Sequence, residues 1–471
     1  MNDNTGLPLI APKVTPVLDP GFRPAALASR AFQEAARASG QAVPFTIALE
    51  QTDGSVSHYR TELLPDGHAQ TIGNYRYVER LVKFLLWARG GYRIHLAGPA
   101  VLAERLQAHF RETATGKFDS NLIGERVYDH PIEVVATDAA GLPPEHAKTQ
   151  PLGRHLDGCR IGFDLGGSDR KVAAVIDGEV VFNEEIVWDP YFHPDPQYHF
   201  DGIMDSLKKA AAHLPRVDAI GGSAAGVYVN NRVKVASLFR GVSPDLFNRR
   251  VKDLFLEIQK QWGVPLEVVN DGEVTALAGS MSLGKNAVLG IAMGTSLAGG
   301  YVTPEGNITT WLNELAFVPV DYHPNSPTDE WSGDYGVGAQ YFSQQAVGRL
   351  VAVAGIDLEE RMPLPEKLKH VQKLMEQGDY RARKIYQTIG TYLGYEVAHY
   401  ANFYNFENLL ILGRVTSGPG GEIIIDGAKE VLKAEFPELA ERIAFHVPDE
   451  QDKRHGQAVA AASLPKRVRG N

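Results

Sequence analysis

The chain has 471 residues, of which 44% are hydrophobic and 22% charged, a composition typical of a globular protein with more than one domain. Its net charge of −10 and pI near 5.9 argue against a general nucleic-acid-binding protein. The single cysteine, Cys159, excludes a disulfide within the chain and disfavours a Cys-based zinc site. No stretch approaches the about 18 apolar residues of a membrane span, and the first residues lack the layout of a signal peptide. We therefore expect a cytoplasmic protein that contacts neither nucleic acid nor membrane.

The first 155 residues predict an α/β unit. Residues 1–24 are rich in proline and aperiodic, which predicts an arm over the surface. The unit has sixteen basic and sixteen acidic residues, a balance that disfavours a DNA-binding arm. The proline-containing segment 141–153 at its end predicts a linker. The predicted elements are a hairpin (Pro44–Glu50 and Ser57–Leu64), a helix around Val78–Leu85 that ends at Gly90, a strand (Tyr92–Leu96), a helix (Ala100–Arg111) and a strand (Ile132–Thr137).

A glycine-rich hairpin opens the next part of the chain. Residues 161–182 predict three antiparallel strands joined by two tight glycine turns. In the first turn, Gly166 and Gly167 would let the backbone approach a phosphate closely, while Ser168 and Lys171 add a hydroxyl and a cation. An ordinary hairpin is the alternative, because glycine pairs are common in turns.

The segment around Asn270 and Asp271 joins a short apolar strand (Leu266–Val269) to a helix. Open α/β sheets bind ligands beyond the carboxyl ends of their strands, so this pair is placed for chemistry. Asp271 could accept a proton from a substrate hydroxyl, or hold a metal ion or a sugar hydroxyl. The alternative is a helix cap, in which Asn and Asp only satisfy free backbone N–H groups.

Further elements surround this segment. Asp201–His213 predicts a helix and Val217–Gly221 a strand, and Leu246–Trp262 predicts one amphipathic helix whose aromatic residues belong to the core. After the Asn-Asp segment, the strand Val288–Met293 leads into a second glycine-rich turn and strand, Gly294–Val302. The combination of two glycine-rich hairpins with an Asp-bearing strand end between them indicates a functional site more specifically than any one of these motifs.

The irregular segment 321–338 carries aromatic and acidic side chains, among them Trp331 and Asp334. Such a combination suits a polyhydroxylated ligand, with local packing as the alternative. His323 has no second His or Cys at ligand spacing, so no metal role is expected for it.

The last part of the chain contains a third glycine-rich turn. Arg383–Tyr404 predicts an amphipathic core helix, and the strand Leu409–Leu412 runs into the turn Gly413–Gly421. A turn of this kind at a helix N-terminus can hold a nucleotide, although an ordinary strand–helix loop fits equally well. Ile443–Val447 predicts a final strand, and Gly456–Leu464 a small-residue helix that could pack back on the first lobe.

From Cys159 to Leu464 the chain resembles the ROK (repressor, open reading frame, kinase) family of sugar kinases, within the actin-like ATPase superfamily. The first phosphate hairpin of that family, Asp-x-Gly-Gly-Thr, is matched by Asp164–Ser168, and its catalytic Asn-Asp by Asn270 and Asp271. The other matches are Gly294, Thr295, Gly299 and Gly300 in the second phosphate turn, Leu412–Ser417 in the adenosine segment and Asn313–Phe317 in the sugar-contacting segment.

The resemblance implies an α/β architecture, the two-lobed actin-like ATPase (ribonuclease H-like) fold, with a separate N-terminal α/β domain. Residues 1–155 would be this extension, whose role the sequence does not reveal. Residues 156–288 would form the first lobe, with the helix 454–464 packing back on it, and residues 289–453 the second lobe. The family also implies a homodimer.

The implied activity is ATP- and Mg²⁺-dependent phosphorylation of a hydroxyl group of a sugar or polyol. Asp271 would be the general base, and Asp164 would hold Mg²⁺ through water. The implied substrate-binding residues are Asn270, Asp271, Glu314, Trp331 and Asp334. The implied nucleotide-binding residues are Asp164, Gly166, Gly167, Ser168, Lys171, Gly294, Thr295, Ser296, Gly413, Arg414 and Thr416.

Several positions depart from the family pattern. Ser296 and Ala298 stand where the second phosphate turn has glycines, and Phe317 replaces a His that ligates zinc and touches sugar. Asp329–Gly336 replaces the Cys-rich zinc loop, so no zinc site is expected and ATP binding is better supported than hexose specificity. The alternatives are a non-catalytic sugar sensor and polyphosphate or acyl-phosphate chemistry, the latter disfavoured by the uncharged turn Ser223–Gly226.

Overall fold

The computed structural model describes residues 6–146, 152–447 and 450–467, so part of the predicted arm and part of the predicted linker lie outside the described residues. The elements of the N-terminal unit are α1 (Ala25–Ala38), β1 (Val43–Glu50), β2 (Val56–Leu63), α2 (Gly73–Arg89), β3 (Arg93–Ala97), α3 (Ala100–Glu112), α4 (Ala114–Asp119), a π-helical turn (Ser120–Val127) and β4 (Glu133–Thr137). The four strands form one sheet in the order β2-β1-β3-β4, in which only β3 and β4 are parallel.

The strands and the helix Ala100–Arg111 predicted for this unit are confirmed to within about two residues at their ends, and the helix around Val78–Leu85 is confirmed but begins earlier, at Gly73. Helix α1 was not predicted, although its apolar residues lie on one face. Its buried side chains include Phe32 and Ala36, which lie four positions apart on the face that meets the core.

The first lobe is built on a mixed five-stranded sheet in the order β11-β8-β5-β6-β7. Its elements are β5 (Cys159–Leu165), β6 (Asp169–Ile176), β7 (Glu179–Val187), α5 (Gln197–Ala211), β8 (Ala219–Ala224), β9 (Val227–Val229), β10 (Arg232–Val235), α6 (Pro244–Leu246), α7 (Leu254–Trp262), β11 (Leu266–Asn270) and α8 (Asp271–Leu283). Strands β5, β8 and β11 are parallel, so their carboxyl ends meet at one edge. Asp164, near the end of β5, and Asp271, directly after β11, lie at this edge.

The prediction of one continuous helix over Leu246–Trp262 is wrong. The short helix α6 passes into a π-helical turn (Phe247–Val251), and α7 begins only after Asp253, whose backbone lies outside the helical region at φ −105° and ψ 14°. The core assignment is confirmed for Phe255 and Ile258, which are fully buried against the sheet.

The second lobe has a four-stranded sheet in the order β13-β12-β14-β15. Its elements are β12 (Val288–Met293), β13 (Leu297–Val302), α9 (Gln344–Val353), α10 (Leu364–Glu376), α11 (Tyr380–Tyr400), β14 (Asn408–Leu412), α12 (Pro419–Glu435), α13 (Pro437–Arg442) and β15 (Ala444–His446). The last helix, α14 (Glu450–Ala462), returns to the first lobe. There Gly162 of β5 and Gly221 of β8 leave room for the backbone carbonyls of Ala458 and Ala461.

The arm before α1 crosses the second lobe in extended form. Its backbone N–H groups donate to side chains of α11, from Val14 to the hydroxyl of Tyr395 and from Leu18 to Oγ1 of Thr388, each over 3.2 Å. Phe22 is fully buried between aromatic rings of the same lobe. The arm is therefore an anchored part of the fold.

The N-terminal unit has its own sheet but shares its hydrophobic core with the second lobe. Phe84 of α2 stacks on Phe403, just after α11, with ring centroids 3.7 Å apart. Buried side chains of the two units form one cluster, whereas the sheet of the first lobe has a core of its own. We infer that the N-terminal unit and the second lobe move as one body. No helix in the described ranges is both long enough and apolar enough to cross a membrane.

Candidate active site

Three carboxylates converge between the two lobes. Asp164 comes from β5, Asp271 begins α8, and Glu314 precedes a 3₁₀ turn (Leu315–Phe317) of the second lobe. Burial raises the pKa of Asp271 to about 6, with the charge of Asp164 as a further cause. Burial also raises the pKa of Glu314 to about 7, and the charge of Asp271 adds to it. The charge of Asp271 is thus coupled to that of Asp164 on one side and to that of Glu314 on the other, which places Asp271 in an acidic environment.

The side chains of Asn270 and Asp271 make different hydrogen bonds, which bear on the cap and the catalytic role considered for them. Asn270 caps α8: its Oδ1 accepts from the N–H of Gly272 over 2.7 Å, and its Nδ2 donates to the carbonyl of Gly226 over 2.7 Å. Oδ1 of Asp271 also accepts from the N–H of Gly272, over 3.0 Å. Its Oδ2 receives no hydrogen bond from the part of the chain that the structure describes. One oxygen of Asp271 is thus held and the other is available to a ligand.

Asp164 is held by a residue that the sequence analysis did not single out. The hydroxyl of Ser223, at the end of β8, donates to Oδ1 of Asp164 over 2.6 Å. Burial raises the pKa of Asp164 and outweighs this hydrogen bond, which lowers it. The small-residue turn after β8 was the only available signal for Ser223. Because Mg²⁺ in proteins binds one or two carboxylates and keeps several waters, a single well-oriented Asp fits such an ion.

The first glycine-rich turn brings its predicted side chains together around Asp169. The hydroxyl of Ser168 donates to Oδ2 of Asp169 over 3.0 Å, and Nζ of Lys171 lies 3.3 Å from its Oδ1. Gly167 is required here, since a Cβ would collide with the hydroxyl of Tyr191. The hydroxyl and the cation are thus both present, with Asp169 as their partner in the absence of a ligand.

The second glycine-rich turn exposes the hydroxyl-bearing residues Thr295 and Ser296, with Gly294 donating its N–H to the carbonyl of Ser296 over 2.9 Å. Gly299 and Gly300, matched above to the same turn, lie instead within β13. Their lack of a side chain has another physical reason, because β13 packs closely against the first turn of α8. A Cβ on Gly300 would collide with the carbonyl of Gly272.

Replacement of Gly300 by Ala should therefore lower the free energy of unfolding by about 1–3 kcal/mol, because backbone must move to admit the methyl group. The shift would displace the first turn of α8, which carries Asp271. Urea unfolding measures the effect, with Gly21→Ala as the matched control because its Cβ would make only an ordinary contact. Equal stability of the two variants would contradict this account.

The third turn lies beside the second. Gly413 has φ +102°, and a Cβ there would collide with the backbone of Met293 at the end of β12. Arg414–Thr416 form a 3₁₀ turn in which the side chain of Arg414 is exposed, while the buried hydroxyl of Thr416 donates to the carbonyl of Gly413 over 2.9 Å. Thr416 thus stabilises the turn, and Arg414 remains accessible to a ligand.

The structure places the two predicted sugar-binding residues of segment 321–338 differently. Trp331 is 78% exposed. Asp334 is buried, with its carboxylate 3.0 Å from Nη1 of Arg80 and 3.5 Å from Nζ of Lys83, both on α2. Asp334 therefore joins the N-terminal unit to the second lobe, and its carboxylate is already engaged. Nothing in the described contacts brings either residue to Asp271.

The segment that carries Glu314 is also fixed by α2. The N–H of Glu314 donates to the carbonyl of Trp87 over 3.0 Å, and the ring of Phe317 packs on that of Trp87 with centroids 4.2 Å apart. Among the described residues, no group of three or more His, Cys, Asp or Glu side chains is arranged to hold a metal ion.

Comparison with known proteins agrees with this geometry. No family model matches the chain. A curated glucokinase of Halalkalibacterium halodurans is 25% identical over 314 residues, which are 61% of this chain and 89% of that protein. The ROK hexokinase of Thermus thermophilus superposes with a TM-score of 0.50 at 16% identity, over 64% of this chain and 97% of its own. A ROK family transcriptional regulator, a homologue of the E. coli MLC protein, superposes with a TM-score of 0.51 at 20% identity, over 66% of this chain and 79% of its own.

These matches cover about two-thirds of the chain, which is also the share taken up by residues 159–464, the region that resembles the ROK family. The predicted fold class is confirmed. The chain thus has the two-lobed actin-like ATPase fold, preceded by an N-terminal α/β unit, and is similar to the ROK sugar kinases.

Proposed function

We propose that this protein is an ATP-dependent kinase that phosphorylates a hydroxyl group of a sugar or polyol. The observation that carries the proposal is Asp271, a partly buried carboxylate with one oxygen held by Gly272 and the other available. Its raised pKa suits a general base, since such a group accepts a proton most effectively near the working pH. The similarity to a glucokinase supports the same assignment.

In this mechanism Oδ2 of Asp271 would accept the proton of the acceptor hydroxyl. The hydroxyl oxygen would form a bond to the γ-phosphorus of ATP while the bond from that phosphorus to the bridging oxygen breaks, so that ADP leaves. Asn270 fixes the base by capping α8, and Glu314 binds another hydroxyl of the same sugar. Phosphoryl transfer depends mainly on positioning and charge stabilisation, so few protein groups are needed.

The nucleotide would lie along the three glycine-rich turns. Backbone N–H groups of the two turns, those of Gly167–Ser168 and Thr295–Ser296, would face the phosphates. Lys171 would exchange Asp169 for a phosphate oxygen. Asp164 would hold Mg²⁺ through water, an ion that supplies positive charge beside the phosphates. Arg414 would contact the adenosine part.

The test is a thermal-shift screen against sugars and polyols, with and without Mg-ATP, followed by a coupled assay of ADP release. A ligand present at about 100 times its Kd adds about 2.7 kcal/mol, which such a screen detects. Sugar-dependent ADP release supports the kinase. Stabilisation by a sugar without ADP release supports a non-catalytic sensor instead, the second candidate favoured by the similarity to a ROK regulator. The domain boundaries, the homodimer and the cytoplasmic location stay predictions.

The rate of the kinase should depend on pH through Asp271. Because this carboxylate must be ionised to accept a proton and its pKa is about 6, kcat/KM should fall about tenfold per pH unit below that value. Sugar-dependent ADP release, measured from about pH 5 to about pH 9, shows the profile. A rate that is flat across this range would exclude Asp271 as the base. The residual rate of Asp271→Asn provides the control, since it should lack this dependence.

A further inference from the structure

A cavity of about 410 Å³ lies beside the proposed active site, within the size range of ligand pockets, about 300–1,000 Å³. Residues of the N-terminal unit and of both lobes enclose it. The N-terminal unit supplies residues 51–53 and Tyr128, the first lobe supplies residues 226–231 and β11, and the second lobe supplies residues 309–312. Residues 51–53 and Tyr128 lie outside the region that resembles ROK kinases, so one wall of this cavity is particular to the extended chain.

The lining has the chemistry of a site for a hydroxyl-rich molecule. The lining includes amides (among them Gln51 and Asn230), hydroxyls (Thr52 and Thr310), three carboxylate residues and three aromatic residues, namely Asp53, Glu267, Glu273, Tyr128, Tyr228 and Trp311. None of its described lining residues is Lys or Arg, whereas a phosphate or carboxylate ligand would require a cation. The cavity therefore favours an uncharged polyhydroxylated ligand.

Glu267 is the most informative residue of the lining. It projects from β11, the edge strand of its sheet, and is partly buried. No described residue donates a hydrogen bond to its carboxylate or pairs with it. Burial alone raises its pKa to about 6. The carboxylate is thus a hydrogen-bond acceptor at the cavity wall with no donor from the described residues, and hydroxyl groups of a ligand would supply such donors.

The cavity adjoins residues that neighbour the proposed acceptor site in the chain. Asn270 lines it and is followed directly by Asp271, and Glu273 lines it from the same turn of α8. Leu312, also on the wall, precedes Glu314 by two residues. Asp271 and Glu314 themselves do not line it. A ring that presents its hydroxyl to Asp271 would thus lie at the mouth, with the cavity beyond it.

We propose that this cavity binds the non-reacting part of an uncharged acceptor larger than a monosaccharide, such as a disaccharide or another glycoside. This proposal rests on the proposed kinase function. In it the N-terminal unit forms a wall of the substrate site and thereby sets acceptor size.

The experiment compares ADP release with monosaccharides (glucose, mannose, fructose) and disaccharides (maltose, cellobiose, lactose, sucrose). Thr52→Trp fills the rim of the cavity and Glu267→Ala removes its unpaired carboxylate, while Val101→Trp, on an exposed face of α3, is the matched control. We expect the wild type to have a higher kcat/KM for one disaccharide than for any monosaccharide. We expect both cavity variants to lower that value about tenfold or more and to change monosaccharide values less than about twofold.

A wild type that prefers monosaccharides, with variants that change nothing, would overturn the cavity proposal and leave the kinase intact. Absence of ADP release with every sugar would instead refute the kinase. In that case calorimetric titration with the same disaccharides decides about the cavity. Binding by the wild type and Val101→Trp that is lost in Thr52→Trp would support it, and absence of binding would overturn it.

Discussion

Replacement of Asp271 by Asn is expected to lower kcat by about 10²–10⁴-fold, the usual effect of removing a general base. The amide has the shape of the carboxylate, and its oxygen can still accept the hydrogen bond from Gly272. It cannot accept the proton of the acceptor hydroxyl near neutral pH, however. We therefore expect KM for the sugar to change far less than kcat, as measured by initial rates of ADP release. A matched control is Asp357→Asn, which changes an exposed carboxylate in the same way and should keep full activity.

The same variant should not be less stable than the wild type. Because the folded state raises the pKa of Asp271 from 3.8 to about 6, ionisation of this group opposes folding. That cost is absent at low pH, develops as the pH rises from about 4 to about 6, and persists above. Asp271→Asn should thus match or exceed the wild type in urea unfolding at about pH 8. Full activity of Asp271→Asn, or a loss of activity that urea unfolding traces to an unstable fold, would refute the assignment of Asp271 as the general base.

The stability result and the rate result reflect one physical arrangement. Burial next to Asp164 destabilises the charged form of Asp271, and this is also what raises its pKa toward the working range of a base. A residue that acts only as a helix cap would instead stabilise the fold, as Asn270 does by accepting the hydrogen bond from the N–H of Gly272 at the start of α8. The sequence allowed either role for both residues. The contacts show that Asn270 caps α8, and the general-base role of Asp271 is our proposal.

The parts of the site that the sequence could predict are those encoded by adjacent residues. The Gly166–Lys171 turn and the Asn-Asp strand end are local patterns, and both lie where the resemblance implies. Ser223 and Asp169, which hold Asp164 and Lys171, escaped notice. Ser223 is far from its partner in the chain, and the role of Asp169 depends on a hairpin register that a glycine pair does not specify.

In the fold, too, local features could be predicted from the sequence and contacts between distant residues could not. Hairpins and amphipathic helices of the N-terminal unit follow from periodicity, but its attachment to the second lobe depends on contacts across more than half of the chain, such as Phe84 on Phe403. The contacts of Asp334 could not be predicted from segment 321–338 for the same reason. Its partners, Arg80 and Lys83, lie on a helix that comes about 250 residues earlier, a separation of 254 for Arg80.

Replacement of Asp334 by Ala is expected to lower the free energy of unfolding by about 1–3 kcal/mol, because Arg80 and Lys83 lose this buried partner but keep Glu79 and Asp119, respectively. Burial alone would raise the pKa of Asp334, but the charges of Arg80 and Lys83 outweigh it and hold the pKa below 3.8. The ion pairs thus stabilise the fold above about pH 4, and this contribution is lost as the pH falls through the lowered pKa. Urea unfolding at about pH 7 and at acidic pH measures both effects, with the exposed Asp357→Ala as control.

The same variant separates the anchoring role from the sugar-binding role that the loop pattern suggested. If Asp334 only joins α2 to the second lobe, folded Asp334→Ala assayed at low temperature should keep its KM for the sugar within about threefold. Since α2 also holds Glu314 through the carbonyl of Trp87, a moderate loss of kcat is compatible with anchoring. A KM raised tenfold or more, together with unchanged stability, would show instead that the carboxylate of Asp334 leaves Arg80 to bind the sugar.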